Sequence, residues 1–131
     1  LNDFNISIKL NPRDSLTYYH RGVLYGRINN YNQSISNYTK AIQLNPKFEI
    51  AYYNRGTDYG LIGSHSKAII DFSKAIKINP TFAEAYHNRG TSYYKLGKYD
   101  RSIEDFKIAA RLGHKGSRDY LMKNGVSWQI N

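Results

Sequence analysis

Aromatic and small side chains supply most of the apolar pattern of this chain, and they return at helical intervals. Tyr18, Gly22 and Tyr25 stand four and three residues apart, and Ser34, Tyr38 and Ala41 repeat that spacing. Residues so spaced share one face of a helix, so each trio predicts a helix with an apolar stripe. Between the two trios stands Asn29, a residue type that tolerates the left-handed conformation in which helices end. The pattern therefore predicts a helical hairpin.

The same pattern recurs without gaps. Residues 3–12 align with 37–46, 71–80 and 105–114, a step of 34 residues. Pro12, Pro46 and Pro80 recur, each preceded by Asn, and His114 takes the place in the fourth copy. Further columns follow the step: Tyr18, Tyr52, Tyr86; Arg21, Arg55, Arg89; Gly22, Gly56, Gly90; Tyr25, Tyr59, Tyr93; and Phe4, Tyr38, Phe72, Phe106. Small residues form two more, Ser34, Ala68, Ser102 and Ser7, Ala41, Ala75, Ala109. A period of this length marks a solenoid, in which each unit buries its face against its neighbours.

Asn29, Gly63 and Gly97 separate the two helices of each unit, and the recurring Pro closes the second helix. Thr81 and Glu84 read as a capping box opening the third hairpin. Glycine inside a helix costs roughly 1 kcal/mol. A column of three therefore implies that a neighbouring element needs the space, and Tyr38, Phe72 or Phe106 is the expected occupant. After the last hairpin, Ser117 to Asn124 is expected to form one more helix, with Ser117 as cap and Gly125 as stop. Tyr120 and Leu121 would face inward and Arg118 and Lys123 outward. The tail that follows, with the single Trp128, is expected to fold back on this helix.

Aromatic, Gly and Tyr, followed by small, aromatic, small and Pro at these spacings, resemble the tetratricopeptide repeat. The resemblance implies an all-α, right-handed superhelix (α-solenoid) of antiparallel helix hairpins with 34-residue repeats, spanning residues 1–131 as a single array. Residues 1–12 read as the second helix of a truncated repeat, 15–48, 49–82 and 83–116 as full repeats, 117–124 as a capping helix and 125–131 as a tail. On this reading the first residue falls inside a repeat, so the chain is expected to be cut from something longer. Arg21, Arg55 and Arg89 depart from the family's usual Leu. A related 35-residue family reads RNA base by base, but the 34-residue period and the Gly and Pro columns argue against it.

Composition narrows the chemistry. The chain has no cysteine, which excludes disulfides, thiolate metal sites and thiol nucleophiles. No stretch approaches the ~20 apolar residues of a membrane-spanning helix. The compartment stays open, with a soluble, cytoplasmic setting favoured. The net charge of +9 favours acidic partners, nucleic acid or anionic membrane. It is spread as +4 over residues 1–48, +1 over 49–82 and +4 over 83–131, so no polybasic tail dominates.

No catalytic, cofactor or metal site is expected. Phosphate loops, zinc-protease and nucleophile-elbow motifs are all missing from the sequence. His20, His65, His87 and His114 occupy different places in their repeats and should not converge on a metal. Asp100, Glu104 and Asp105, beside Arg101 and Lys107, read as a solvated face. The Arg21, Arg55 and Arg89 column could grip an acidic peptide. The preferred reading is structural pairing with Asp3, Asn37, Asp71 and Asp105 on the second helices, each Arg reaching the preceding hairpin.

The resemblance also implies a concave groove lined by the first helices, so the expected partner is a protein or peptide. Its groove positions fall on Leu16, Tyr19, Val23, Gly26 and Arg27; on Ile50, Tyr53, Thr57, Gly60 and Leu61; and on Glu84, His87, Thr91, Tyr94 and Lys95, with Asn54 and Asn88 near the floor. Tyr19, Tyr53 and Tyr94 are expected to face the groove. The six column tyrosines are expected to cover neighbouring hairpins. Some members of the family grip acidic chaperone tails with Lys, Asn and Arg. The matching sites here are Tyr19, Val23, Asn54, Glu84 and Asn88, of which only Asn54 fits, so no carboxylate clamp is expected. The expected function is a protein-interaction scaffold or adaptor. Nucleic-acid or other polyanion binding, and docking for a larger enzyme, are the alternatives. Oligomeric state stays open.

Overall fold

The computed structural model describes residues 1–130; Asn131, the last residue of the expected tail, lies outside them. Eight helices follow one another: α1 (Asn2–Leu10), α2 (Ser15–Arg27), α3 (Tyr31–Leu44), α4 (Glu49–Leu61), α5 (His65–Ile78), α6 (Ala83–Lys95), α7 (Tyr99–Arg111) and α8 (Lys115–Lys123). Each packs on the next, and the first helices of successive hairpins also touch, α2 with α4 and α4 with α6. This is the α-solenoid of helix hairpins that the period implies.

Local chemistry sets each boundary. Asn29, Gly63 and Gly97 have φ of 58°, 81° and 72°, as the sequence predicts, and Gly113 and Gly125 join them at 98° and 66°. The Asn before each Pro does two jobs. Its N–H donates to the carbonyl of Ser7, Ala41 or Ala75, closing the helix. Its side chain then accepts the N–H two residues on, from Arg13, Lys47 or Thr81.

That second job displaces the capping box expected at Thr81 and Glu84. Thr81 turns back and donates its hydroxyl to Asn79 Oδ1 at 3.0 Å, and the helix begins one residue later. The N-cap is Phe82, which makes no capping hydrogen bond. Its ring packs on Tyr53 at 4.8 Å between centroids. Apolar docking of the hairpin has taken the position from a polar cap.

The glycine column is a packing device. A Cβ on Gly22, Gly56 or Gly90 would stand 2.8, 2.9 or 3.0 Å from the ring of Tyr38, Phe72 or Phe106, respectively. Those rings are almost wholly buried. Between hairpins, Ile42, Ala51, Tyr52, Ala75 and Ala85 form the core of the joints, with Phe48 and Phe82 packed against them.

The arginine column is structural, with one correction to its wiring. Each Arg pairs with the second helix of its own hairpin rather than the preceding one. Arg55 donates Nε and Nη2 to the two oxygens of Asp71, both at 2.7 Å, and Arg89 does the same to Asp105 at 2.8 Å. Arg21 has only an amide there, Asn37 Oδ1 at 2.7 Å. The remaining Nη1 reaches back one hairpin, to Asn5, Thr39 or Ser73 at 2.8, 3.0 and 3.1 Å. Asp105 is consequently buried and paired, and does not belong to a solvated carboxylate face. Glu104 is exposed and pairs with Lys107.

The last joint differs from its predecessors. The terminal helix starts at Lys115, two residues before the expected cap, and His114 is its N-cap, its Nδ1 accepting from the Ser117 N–H at 3.1 Å. Ser117 is fully buried inside the helix. Its hydroxyl lies 2.8 Å from His87 Nδ1, and the His87 and His114 rings stack at 4.2 Å. Two histidines thus meet at the terminal joint, because the Pro position of the repeat carries a ring that can accept a hydrogen bond. Leu121 is buried against Phe106 and Ala110, with Tyr120, Val126 and Trp128 over them, so the tail does fold back. Arg111 Nε donates to the Trp128 carbonyl at 2.8 Å, and Arg118 Nε to the Ala110 carbonyl at 2.8 Å.

Candidate functional site

The first helices α2, α4 and α6 carry two adjoining clefts. One, of about 290 Å³, lies between α2 and α4 and includes Val23, Arg27, Asn54, Thr57 and Leu61 of the expected groove residues. The other, of about 220 Å³, lies between α4 and α6 and includes Thr57, Leu61, Asn88, Thr91 and Lys95. Thr57 and Leu61 belong to both, and Leu61 is 62% exposed. The continuity comes from the 34-residue step, which sets equivalent turns of successive first helices side by side.

Seven of the expected groove positions line neither cleft: Leu16, Ile50 and Glu84, and the four rings Tyr19, Tyr53, His87 and Tyr94. Tyr19 and Tyr53 are half-buried wedges: Tyr19 packs on Phe48 at 4.9 Å and Tyr38 at 5.9 Å, and Tyr53 on Phe82 and Phe72 at 4.8 and 5.9 Å. Their rings fill the seams between hairpins rather than stand free toward a ligand. Their hydroxyls remain useful, accepting from Asn54 Nδ2 at 3.2 Å and Asn88 Nδ2 at 3.0 Å. These two bonds orient the floor amides from one hairpin to the next. In the third hairpin the corresponding position is His87, which turns into the terminal joint. Tyr94 is 46% exposed and lies edge-on to Tyr99 at 5.2 Å, outside both clefts.

Electrostatics distinguish the clefts. Asp58 lines the first and is buried, 6% exposed, which raises its carboxyl above the usual 3.8; the nearby Ser34 hydroxyl opposes the rise. That hydroxyl donates to the Gly22 carbonyl at 2.8 Å, and Asp58 Oδ2 is buried with no hydrogen-bond partner among the described residues. Tyr38, on the same wall, is pushed up to about 12 by burial, with the Asp58 charge adding to it. The second cleft holds His65, whose Nδ1 is buried without a hydrogen-bond partner among the described residues, and the exposed Lys95. Neither Asp58 nor His65 was anticipated. The available signal was a break in a column, Leu24, Asp58 and Ser92 for the first and Tyr31, His65 and Tyr99 for the second. Among the described residues, no group of three or more His, Asp or Glu side chains is arranged to hold a metal ion.

The comparisons with known proteins agree with this architecture. The model of the Tetratricopeptide repeat matches residues 15–48 and 83–114, and that of the TPR repeat matches residues 58–97. The chain belongs to the tetratricopeptide repeat family. A search of curated proteins gives no match. Among solved structures, a crystal structure of MamA is 30% identical with a TM-score of 0.83, over 89% of this chain and 68% of that one. The Arabidopsis OM64 TPR domain is 27% identical with a TM-score of 0.77, over 84% and 95%. The first TPR of Spaghetti (RPAP3), bound to an HSP90 peptide SRMEEVD, has a TM-score of 0.80 over 85% and 90%, and at 23% identity the likeness is of fold alone. In tetratricopeptide repeat terms, the two clefts occupy the first-helix face.

Proposed function

We propose that this chain is a protein-interaction scaffold whose first-helix face binds a segment of a partner protein, and that it performs no catalysis itself. The observation that carries the reading is the pair of adjoining clefts sharing Thr57 and Leu61. Together they offer an exposed apolar residue, oriented amides on Asn54 and Asn88, and hydroxyls on Thr57 and Thr91. That mixture suits peptide backbone and side chains, since binding surfaces combine an apolar centre with polar groups around it. The Spaghetti domain, held by its HSP90 peptide, gives a precedent for peptide binding on this fold.

The test is peptide capture from a displayed random library. Peptides selected on the wild type should bind Leu61→Glu at least about tenfold more weakly. Leu61 is solvent-exposed, so that variant should fold normally. Selected peptides that bind Leu61→Glu equally well would place the interaction elsewhere.

Acidic chaperone-type tails are not the expected ligand. Glu84 is exposed on α6 at one of the sites that would have to grip a carboxylate. Titration with an acidic tail peptide should give millimolar or weaker affinity (about 4 kcal/mol or less). Micromolar binding abolished by Asn54→Ala would overturn this. The charge of +9 favours a second reading, nucleic-acid binding. In the clefts only Arg27 and Lys95 are permanently basic. Gel shifts with arbitrary RNA and DNA should therefore show association only at low salt; a complex persisting at moderate salt would favour the nucleic-acid reading.

A further inference from the structure

Repeat symmetry is broken at one buried position that the scaffold reading leaves unused. The residue is Leu24 in the first hairpin and Ser92 in the third, but Asp58 in the second. Asp58 is 6% exposed, and its Oδ2 is buried with no hydrogen-bond partner among the described residues. The other two buried carboxylates, Asp71 and Asp105, each receive two N–H groups from an arginine. Asp58 forms no such pair, although Arg27 lines the same cleft. A buried carboxylate oxygen without a donor is unfavourable, and an unmet acceptor beside a cleft calls for a group that would satisfy it.

We propose that the cleft between α2 and α4 is a subsite for a cationic side chain, a lysine or arginine of the partner segment, with Asp58 as its counter-ion. The cleft has the parts such a side chain needs. Val23 and Leu61 offer apolar wall for the methylene stem, and the Asp58 carboxyl receives the charged head. Asn54 and Tyr38 line the same space and supply further acceptor oxygens. Gly26 keeps the cleft open: a Cβ there would stand 3.4 Å from Ser34 Oγ and 4.0 Å from Asp58 Oδ1. Arg27, which lines the same cleft, opposes a cation. The rest of the positive charge is screened beyond roughly 8 Å at physiological salt, whereas Asp58 lines the cleft itself. The subsite deepens the scaffold reading and rests on it, because the cation must arrive on a bound segment.

The experiment is NMR titration of isotope-labelled protein with Nα-acetyl-lysine methylamide and with its norleucine counterpart, which has the same stem length and no charge. Amide resonances of Gly26, Thr57 and Asp58 should shift saturably with the lysine probe, with affinity about tenfold above that for norleucine. Asp58→Asn should remove that preference, and a thermal melt checks that the variant folds. Gly26→Leu fills the cleft, leaves the carboxyl in place, and should block both probes. Equal responses to the two probes, no shift at these residues, or a preference that survives Asp58→Asn would each overturn the subsite. Library capture separates this outcome from the parent reading. Captured peptides with no lysine or arginine dependence on Asp58 would remove the subsite alone. Lysine preference without any captured peptide would remove the segment-binding reading instead.

Discussion

At Gly56, a single missing carbon decides how closely two helices approach. Alanine there would gain up to about 1 kcal/mol in helix propensity. Its Cβ would meet Phe72 at 2.9 and 3.1 Å and Asp71 Cβ at 3.2 Å. Phe72 is 2% exposed and has no room to retreat. Overpacking of this kind costs about 1–3 kcal/mol, so Gly56→Ala should lower the melting temperature. The same change at Gly60, which has nothing within 4 Å, should raise it slightly. The arginine pairs act at the same scale. Asp71→Ala leaves Arg55 half-buried beside no carboxylate and should destabilise by about 3 kcal/mol in a denaturant titration. A double-mutant cycle with Arg55→Leu should return a large part of that loss, because removing both charges leaves none unpaired.

Among the elements, α8 docks through a histidine pair where the earlier joints use Tyr19 on Phe48 and Tyr53 on Phe82. Burial, with the neighbouring His114 adding to it, pushes the His87 imidazole down from 6.5 to about 4. Between those values the unfolded state holds the proton that the folded state refuses. Stability is therefore complete above about pH 6.5 and declines as pH falls toward 4. His87 is only partly buried, so the loss should be about 1–2 kcal/mol, below the full linkage value. It should appear in melts at pH 7 and pH 5 and shrink in His87→Phe. Asp58 titrates in the opposite sense, its raised carboxyl favouring the folded state on acidification, so the variant is needed to isolate the histidine. Trp128→Ala should loosen the same joint: hydrogen exchange should rise in α8 and stay unchanged in α4.

For the whole molecule, the array is wired as a chain of nearest neighbours. Each arginine joins the two helices of its hairpin and touches the hairpin before, and each floor asparagine ties its hairpin to the tyrosine of the previous one. Stability should therefore pass between adjacent units only. A destabilising change in α7 should reach α6 and α8 in hydrogen exchange and leave α2 protected. The clefts arise from the same wiring, since neither exists within a single hairpin. A partner segment would bridge units and stiffen the joint between them, which predicts slower exchange in α4 when a selected peptide binds.

The sequence by itself determined the helices, their order, the left-handed stops at Asn29, Gly63 and Gly97, and the fit of aromatic ring into glycine gap. These depend on spacing along the chain, and a 34-residue period carries spacing in plain view. The family's pattern also pointed to the first helices, along which the two clefts lie. Tertiary structure decided what spacing cannot encode. It seated Phe82 where a polar cap was expected, turned Tyr19 and Tyr53 into wedges, and sent each arginine to its own hairpin. It also stacked His87 on His114 and left Asp58 buried at the floor of a cleft. Each of these depends on which groups from different hairpins compete for one space, and a column read down the sequence records what a position holds, not what faces it.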